Sequence, residues 1–417
     1  MNRKHNPYRR VVVTGMGVIS SVGTSIDEFM NNLLSGVSGV GSITRFDLSN
    51  FDVKIAAEVK NFAPEDYGIE KKQVKRVDLF ALYALAGAQQ AIIDAGITKR
   101  DSEITGVIIG TGVGGFGTTE EEHAKIVKEK PDTVSPFTVP KIMPNSACGA
   151  IAIKYGLKGP SYSVSSACSS GVDAIISAYN EIFLGNADIM VTGGAEAAIT
   201  PLSLSGFSNA KALSTRNEEP EKASRPFDLY RDGFVMGEGA GILVLEEYLH
   251  AKLRDAKIYA EILGYCQTND AHHITAPSKN GEGAINAMKN ALKNAKLIPA
   301  EIEYINSHGT STPLNDRIET YAIKQVFGDY ACMIPINSTK SMIGHALGAA
   351  GAIESIVAVL TLNRGIIHPT INLETPDPVC DLNYTPNVSV QKTVRTAMKN
   401  SFGFGGHNSV LIFRKHE

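Results

Sequence analysis

From Val172 onward, apolar side chains return at three- and four-residue steps (Val172, Ile175, Ile176, Tyr179, Ile182, Phe183), a spacing that predicts a helix with one buried face. The residues before it follow another rule. Tyr162 and Val164 alternate with serines and Pro160 closes the preceding turn, so 161–164 reads as a short strand. Gly185 ends the helix, and ADIMVTGG at 187–194 reads as the next strand. Elsewhere the same patterns predict a strand with a glycine turn over 9–17, a helix over 26–34, an apolar helix over 79–95, a strand in VIIGTGVGGFG at 107–117, a helix over 120–130 and a strand over 242–246. Residues 201–226 read as irregular.

The order of elements then repeats. AIIDAGITKRDSEITGVIIGTG at 91–112 is echoed by ALKNAKLIPAEIEYINSHGT at 291–310, each a helix, a short turn, Glu-Ile and a strand ending at glycine. The strand and helix around Cys168 are echoed by IPINSTKSMIGHALGAAGAIESIVAVL at 334–360. A length of 417 residues exceeds what a single core usually fills. The pattern therefore predicts an α/β fold of two similar halves, 1–256 and 257–417, whose strand ends face a shared cleft.

Hydrophobic residues make up 43% and charged residues 20%, ordinary for a globular chain, and a net charge of -3 gives no hint of a nucleic-acid or membrane partner. The five cysteines (Cys148, Cys168, Cys266, Cys332, Cys380) are odd in number and scattered, which argues against a disulfide framework or a structural zinc site and for a reducing compartment. The basic start, MNRKHNPYRR, runs into a strand without a long apolar region, so no secretion signal is expected. The apolar run at 346–362 contains Glu354 and has helical periodicity, which predicts a core helix and not a membrane span.

Candidate chemistry centres on Cys168. At the first turn of the predicted helix, backbone N–H groups and the macrodipole favour an anion, so the sequence predicts a stabilised, nucleophilic thiolate with N–H groups ready for an oxyanion. A free cysteine is as often a small buried hydrophobe, and partners must decide. The repeat supplies two, His308 and His345, both expected at second-half strand ends equivalent to the cysteine's position. Such a set could also bind zinc, but no short ligand spacing supports that. The glycines at 110, 112 and 115 form a G-x-G-x-x-G, yet the segment that should hold the next strand is too rich in proline. Close backbone packing is the better reading. Lys71, Lys72, Lys75 and Arg76 form a basic cluster, either a solvated helix end or a dock for an acidic partner.

With SSACSSG at Cys168, HGTSTP at His308, KSMIGH and GAAGAIES at His345 and SFGFGGHNS at Ser401, the chain resembles the β-ketoacyl-acyl-carrier-protein synthases, most of all their elongating type II. The resemblance spans nearly the whole sequence. It implies a five-layered thiolase-like fold and a decarboxylative Claisen condensation in fatty acid elongation, in which Cys168 takes the acyl group and malonyl-carrier-protein loses carbon dioxide before attacking it. By the same resemblance, the N–H groups of Cys168 and Phe404 form the oxyanion hole, and His308 and His345 donate to the malonyl thioester oxygen. Lys340, paired with Glu354, organises the surroundings of His345, and Phe404 gates the two half-reactions. Thr310 and Thr312 bond the pantetheine arm, Val113 and Phe207 line the acyl pocket, and Lys71, Lys72, Lys75, Arg76 and Lys211 dock the acidic carrier protein. It implies a homodimer in the cytoplasm or plastid stroma, with no metal and no cofactor beyond the phosphopantetheine that the carrier brings. Ser166 departs from the commonest motif, as do Asn315 (usually glycine) and His407 (often threonine); none removes a catalytic group. Rivals are a synthase I or polyketide ketosynthase with another acyl pocket, and a non-catalytic chain-length-factor subunit, which would lack the nucleophile. A priming synthase III, a thiolase and a redox-sensing thiol protein fit the His-His set less well.

Overall fold

A computed structural model describes residues 9–417. Residues 1–8, with most of the basic N-terminal stretch, lie outside that description. In chain order the elements that position the site are β1 (Val11–Ile19), α1 (Leu79–Ala95), β2 (Thr105–Gly110), β3 (Ser161–Val164), α2 (Ser170–Phe183), β4 (Ile189–Glu196) and β5 (Gly239–Glu247). The second series is β6 (Ala260–Asn269), α3 (Glu282–Ala295), β7 (Tyr304–Asn306), α4 (Pro313–Phe327), β8 (Ile336–Asn337), α5 (Ala350–Arg364), β9 (Thr396–Gly403) and β10 (His407–Lys415).

The ten strands pair in the order β3-β2-β4-β5-β1-β6-β10-β9-β7-β8. The second five repeat the first five in mirror order, and the pairing types repeat too. β2 runs parallel to β3 and β4 as β7 does to β8 and β9, while β4–β5 and β5–β1 are antiparallel like β9–β10 and β10–β6. The halves join where Val12 and Val13 of β1 pair antiparallel with Glu261 and Ala260 of β6. Helix α1 covers one face of the first half and α3 covers the second, while α2 and α5 pack on each other between them. The result is the five-layered α/β arrangement of a thiolase-like fold.

Local sequence explains the layers. Every residue of α5 from Ala350 to Leu362 is buried, including Glu354, because the helix is covered on both sides. The apolar stretch Leu347–Arg364 is long enough to cross a membrane, but 89% of it lies inside the protein as central-layer core. Two glycines permit the close approach of the layers. A Cβ on Gly110 would lie 2.1 Å from the Ser170 carbonyl oxygen, and one on Gly171 would lie 2.9 Å from the Ala352 nitrogen. These contacts press the end of β2 and the start of α5 against the start of α2. The G-x-G-x-x-G is therefore a packing device, and 131–144 holds a short helix, Thr138–Ile142, in place of a strand.

Two elements differ from expectation. The helix predicted over 120–130 is Phe116–Lys128, and the region read as irregular contains the helix Pro201–Asn209, started by Thr200 capping the Ser203 N–H with Pro201 in the first turn. The mirror order also corrects the equivalence of the histidines. His345 lies in the β8–α5 connection, the counterpart of the β3–α2 connection that carries Cys168, whereas His308 follows β7, the counterpart of the segment after β2.

Candidate functional site

Helix α2 begins at Ser170 with Ser169 as its N-cap, so Cys168 stands two positions ahead of the first helical residue and not within the first turn. Ala167 takes a left-handed backbone, φ 52°, which turns the chain out of β3. The Ser170 hydroxyl fixes that turn by accepting the Ser166 N–H at 2.9 Å and donating to the Ala167 carbonyl at 2.6 Å. The backbone N–H of Phe404, on the β9–β10 turn, reaches the Cys168 thiol.

Burial works against the expected thiolate. Desolvation pushes the Cys168 thiol up to about 11, although the Lys340 ammonium and the Phe404 N–H both act in the other direction. The local helix terminus is legible in sequence, but the depth of the surrounding protein is not, and in this site the depth dominates.

His308 and His345 are each 3% exposed, and their rings meet edge to face with centroids 5.4 Å apart. Phe402 packs against His308 and Phe234 against His345. Burial first, then the ammonium of Lys340, holds both imidazoles well below the usual histidine range, with Lys399 acting in the same sense on each. Both rings are thus neutral at pH 7. Each carries one N–H, and each has a buried Nδ1 with no hydrogen-bond partner among the described residues.

The backbone of His308 is held at both ends. Glu319 of α4 accepts the N–H groups of His308 and Gly309, both at 2.8 Å, and the Nζ of Lys340 donates to the His308 carbonyl at 2.7 Å. Lys340 also donates to Glu354 Oε1 at 2.5 Å, so it braces His308 directly and reaches His345 through its field. Glu319 and a second buried lysine, Lys399, were not singled out from sequence. Glu319 shows no motif. Lys399 is not marked by strand alternation either, because every residue of β9 from Thr396 to Ser401 is buried.

Cys168, His308 and His345 line one cavity of about 540 Å³ together with Val113, Phe207, Lys211, Thr310, Thr312 and Phe404. The Thr310 and Thr312 hydroxyls bond each other at 2.9 Å, and the rings of Phe207 and Phe404 stand 6.4 Å apart. Lys71, Lys72, Lys75 and Arg76 are exposed on and beside the short helix Lys71–Val74, and none lines the cavity. Among the described residues no group of three His, Cys, Asp or Glu side chains is arranged to hold a metal ion. A thiol beside N–H donors and a pair of neutral imidazoles can hold an acyl group and stabilise a second, anionic oxygen.

Family models for the β-ketoacyl synthase N-terminal and C-terminal domains match residues 8–251 and 259–374. The chain is 48% identical over 411 residues to 3-oxoacyl-acyl-carrier-protein synthase 2 of Synechocystis sp., covering 98% of this chain and 99% of that protein. It is 47% identical over 409 residues to the enzyme of the same name from Coxiella burnetii, with the same coverage of both chains. Among solved structures, a ketosynthase bound to its type II polyketide synthase acyl-carrier protein aligns with a TM-score of 0.91 at 40% identity, over 98% of this chain and all of the other. A β-ketoacyl synthase from Burkholderia phymatum aligns with a TM-score of 0.92 at 35% identity and the same coverage.

Proposed function

The chain belongs to the β-ketoacyl synthase family, and from that premise we propose that it is an acyltransferase that elongates fatty acids by the 3-oxoacyl-acyl-carrier-protein synthase 2 reaction. The observation that carries this reading is the convergence of Cys168, His308 and His345 on one cavity. Identity of 48% to a synthase 2, against 40% to the polyketide ketosynthase, favours fatty acid elongation, and the cysteine itself argues against a non-catalytic subunit.

In the first half-reaction the Cys168 sulfur attacks the thioester carbonyl of acyl-carrier-protein. Its pKa of about 11 means that the attacking thiol gives up its proton during the reaction, and the neutral imidazoles are bases lining the same cavity. The N–H groups of Cys168 and Phe404 stabilise the oxyanion, and the carrier leaves with its free pantetheine thiol. In the second, malonyl-carrier-protein lies with its arm along Thr310 and Thr312. The bond from its carboxylate carbon breaks, carbon dioxide departs, and the electron pair passes into an enolate whose oxygen accepts hydrogen bonds from His308 and His345. That carbanion attacks the acyl carbonyl, the Cys168–acyl bond breaks, and the departing sulfur takes up a proton from solvent, giving 3-oxoacyl-carrier-protein and the free Cys168 thiol.

Lys340, anchored by Glu354, positions His308, and its charge keeps both rings neutral donors. Phe404, beside Phe207 at the cavity, is suited to gate the two half-reactions, and Val113 and Phe207 to receive the acyl chain. Exposure of Lys71, Lys72, Lys75 and Arg76, with Lys211 at the cavity, supports docking of an acidic carrier protein.

A homodimer fits the edge of the sheet. Strand β3 is the terminal strand, its outer side unpaired among the described residues, and Val113, Phe137, Val139, Met143 and Tyr162 are exposed apolar or aromatic residues. Five unpaired thiols suit a reducing compartment such as the cytoplasm or plastid stroma. The test of the function is to measure carbon dioxide release from malonyl-carrier-protein and acyl loading of Cys168 separately in H308A and H345A. Loss of release with retained loading supports the assignment; retention of both by either variant defeats that residue's role.

A further inference from the structure

Behind the two imidazoles lies a buried lysine that the roles above leave unused. Lys399 is fully buried on β9, where it pairs in register with Asn306 of β7 and Leu411 of β10. Its Nζ lies 2.8 Å from Glu354 Oε2, while Lys340 occupies Glu354 Oε1 at 2.5 Å. One carboxylate thus serves two ammonium groups. The two lysines also reach successive backbone carbonyls: Lys399 donates to that of Ser307 at 3.4 Å and to that of Asn400, and Lys340 donates to that of His308 at 2.7 Å. The other buried carboxylate at this cluster, Glu319, is already bonded to the His308 and Gly309 N–H groups and to the Asn400 amide.

A second buried ammonium has no obvious value for stability, because an apolar side chain of similar volume would avoid its desolvation cost. Its place is better explained by the reaction. When malonyl thioester loses carbon dioxide, its single negative charge moves from the carboxylate to the thioester oxygen, which faces the imidazoles. A positive field behind those rings favours that displacement and disfavours a third cation in the form of a protonated imidazole.

We propose that Lys399 is a second positioning residue for decarboxylation: it shares Glu354 with Lys340, joins it in clamping the Ser307–His308 backbone, and adds a positive charge behind His308 and His345. The inference rests on the decarboxylative reading given above. The charged and titratable groups around Lys399 are Glu354 of α5, Lys340, Glu319 of α4, and the two histidines. Desolvation first, with Lys340 adding to it and Glu354 opposing, brings the Lys399 ammonium down to about 8. The charge is therefore present at neutral pH and lost in mildly alkaline solution.

The test uses full-length enzyme with malonyl-carrier-protein and acyl-carrier-protein, following carbon dioxide release and acyl transfer separately across pH. K399M should lower decarboxylation about tenfold further than it lowers acyl transfer. It should also move the acid limb of decarboxylation upward by about one pH unit, because the imidazoles protonate more readily once the cation is gone. K399R, which keeps the charge, should restore the position of that limb. In the wild-type enzyme, decarboxylation should decline as pH rises through about 8 while acyl transfer does not, a readout independent of how any variant folds. An unmoved acid limb in K399M, an equal fall in both steps, or wild-type decarboxylation that stays flat to about pH 9.5, well past that ionisation, would overturn the proposal. Wild-type enzyme that released no carbon dioxide at all would sink the decarboxylative reading along with it.

Discussion

The Ser401 hydroxyl donates to the backbone carbonyl of Cys168 at 3.1 Å, so the strand that ends in the Phe404 turn is tied to the peptide of the nucleophile in the opposite half of the molecule. The Ser169 hydroxyl returns the tie by donating to the Ser401 carbonyl, also at 3.1 Å. Strand β9 thereby carries three parts of the site: Lys399 behind the histidines, Ser401 on the nucleophile loop and, just past its end, the N–H of Phe404.

S401A removes one of these ties and leaves a buried carbonyl without that partner. Stability to urea should fall by about 1–3 kcal/mol, and acyl loading of Cys168 should slow. A variant as stable as wild type and equally fast in loading would mean that the hydrogen bond is incidental.

The raised thiol predicts how Cys168 responds to pH. With its pKa at about 11, alkylation by iodoacetamide should climb about tenfold per pH unit from neutrality to about pH 10, because only the thiolate reacts. A rate that levelled off near pH 7 would show instead the activated thiolate that the helix terminus alone suggests.

His368 is fully buried, its Nδ1 next to the Pro369 carbonyl at 2.8 Å and its Nε2 next to the Thr339 hydroxyl at 3.0 Å. Burial lowers it from 6.5 to about 4, so the unfolded chain binds its proton before the folded chain does. Its contribution to stability is complete above about 6.5 and is lost as pH falls towards 4. The stability difference between wild type and H368Q should therefore shrink by about 1.4 kcal/mol per pH unit in that window. A difference independent of pH in paired urea titrations would contradict the assignment.

Charge reversal at Lys71, Lys72, Lys75 and Arg76 tests docking. The glutamate variant should show a higher KM for carrier-protein substrates and weaker dependence on salt, with the rate on small pantetheine thioesters little changed. Equal losses on both substrate types would place the damage in the active site.

Much of this architecture was legible because it follows from period and order. The strand at 161–164, the helix with Ile175 and Ile182 on its buried face, and the echo of 91–112 in 291–310 are patterns of neighbours, and the mirror order of the sheet reproduces the duplication they suggest. What was missed depends on residues distant in sequence. The depth around Cys168 comes from both halves, Glu319 acts from the far side of a helix turn on backbone groups eleven and ten residues away, and Lys399 reads locally as an ordinary strand residue. The helix Pro201–Asn209 escaped notice because its serines and glycine carry no apolar period.

The account is tested most directly by following the mass of each cysteine-containing peptide while the enzyme is given acyl-carrier-protein and then malonyl-carrier-protein. One acyl group should appear on the peptide of Cys168, and it should vanish in step with formation of 3-oxoacyl-carrier-protein and release of an equal amount of carbon dioxide. An acyl group on any other cysteine, or one on Cys168 that persists while product accumulates, would contradict it.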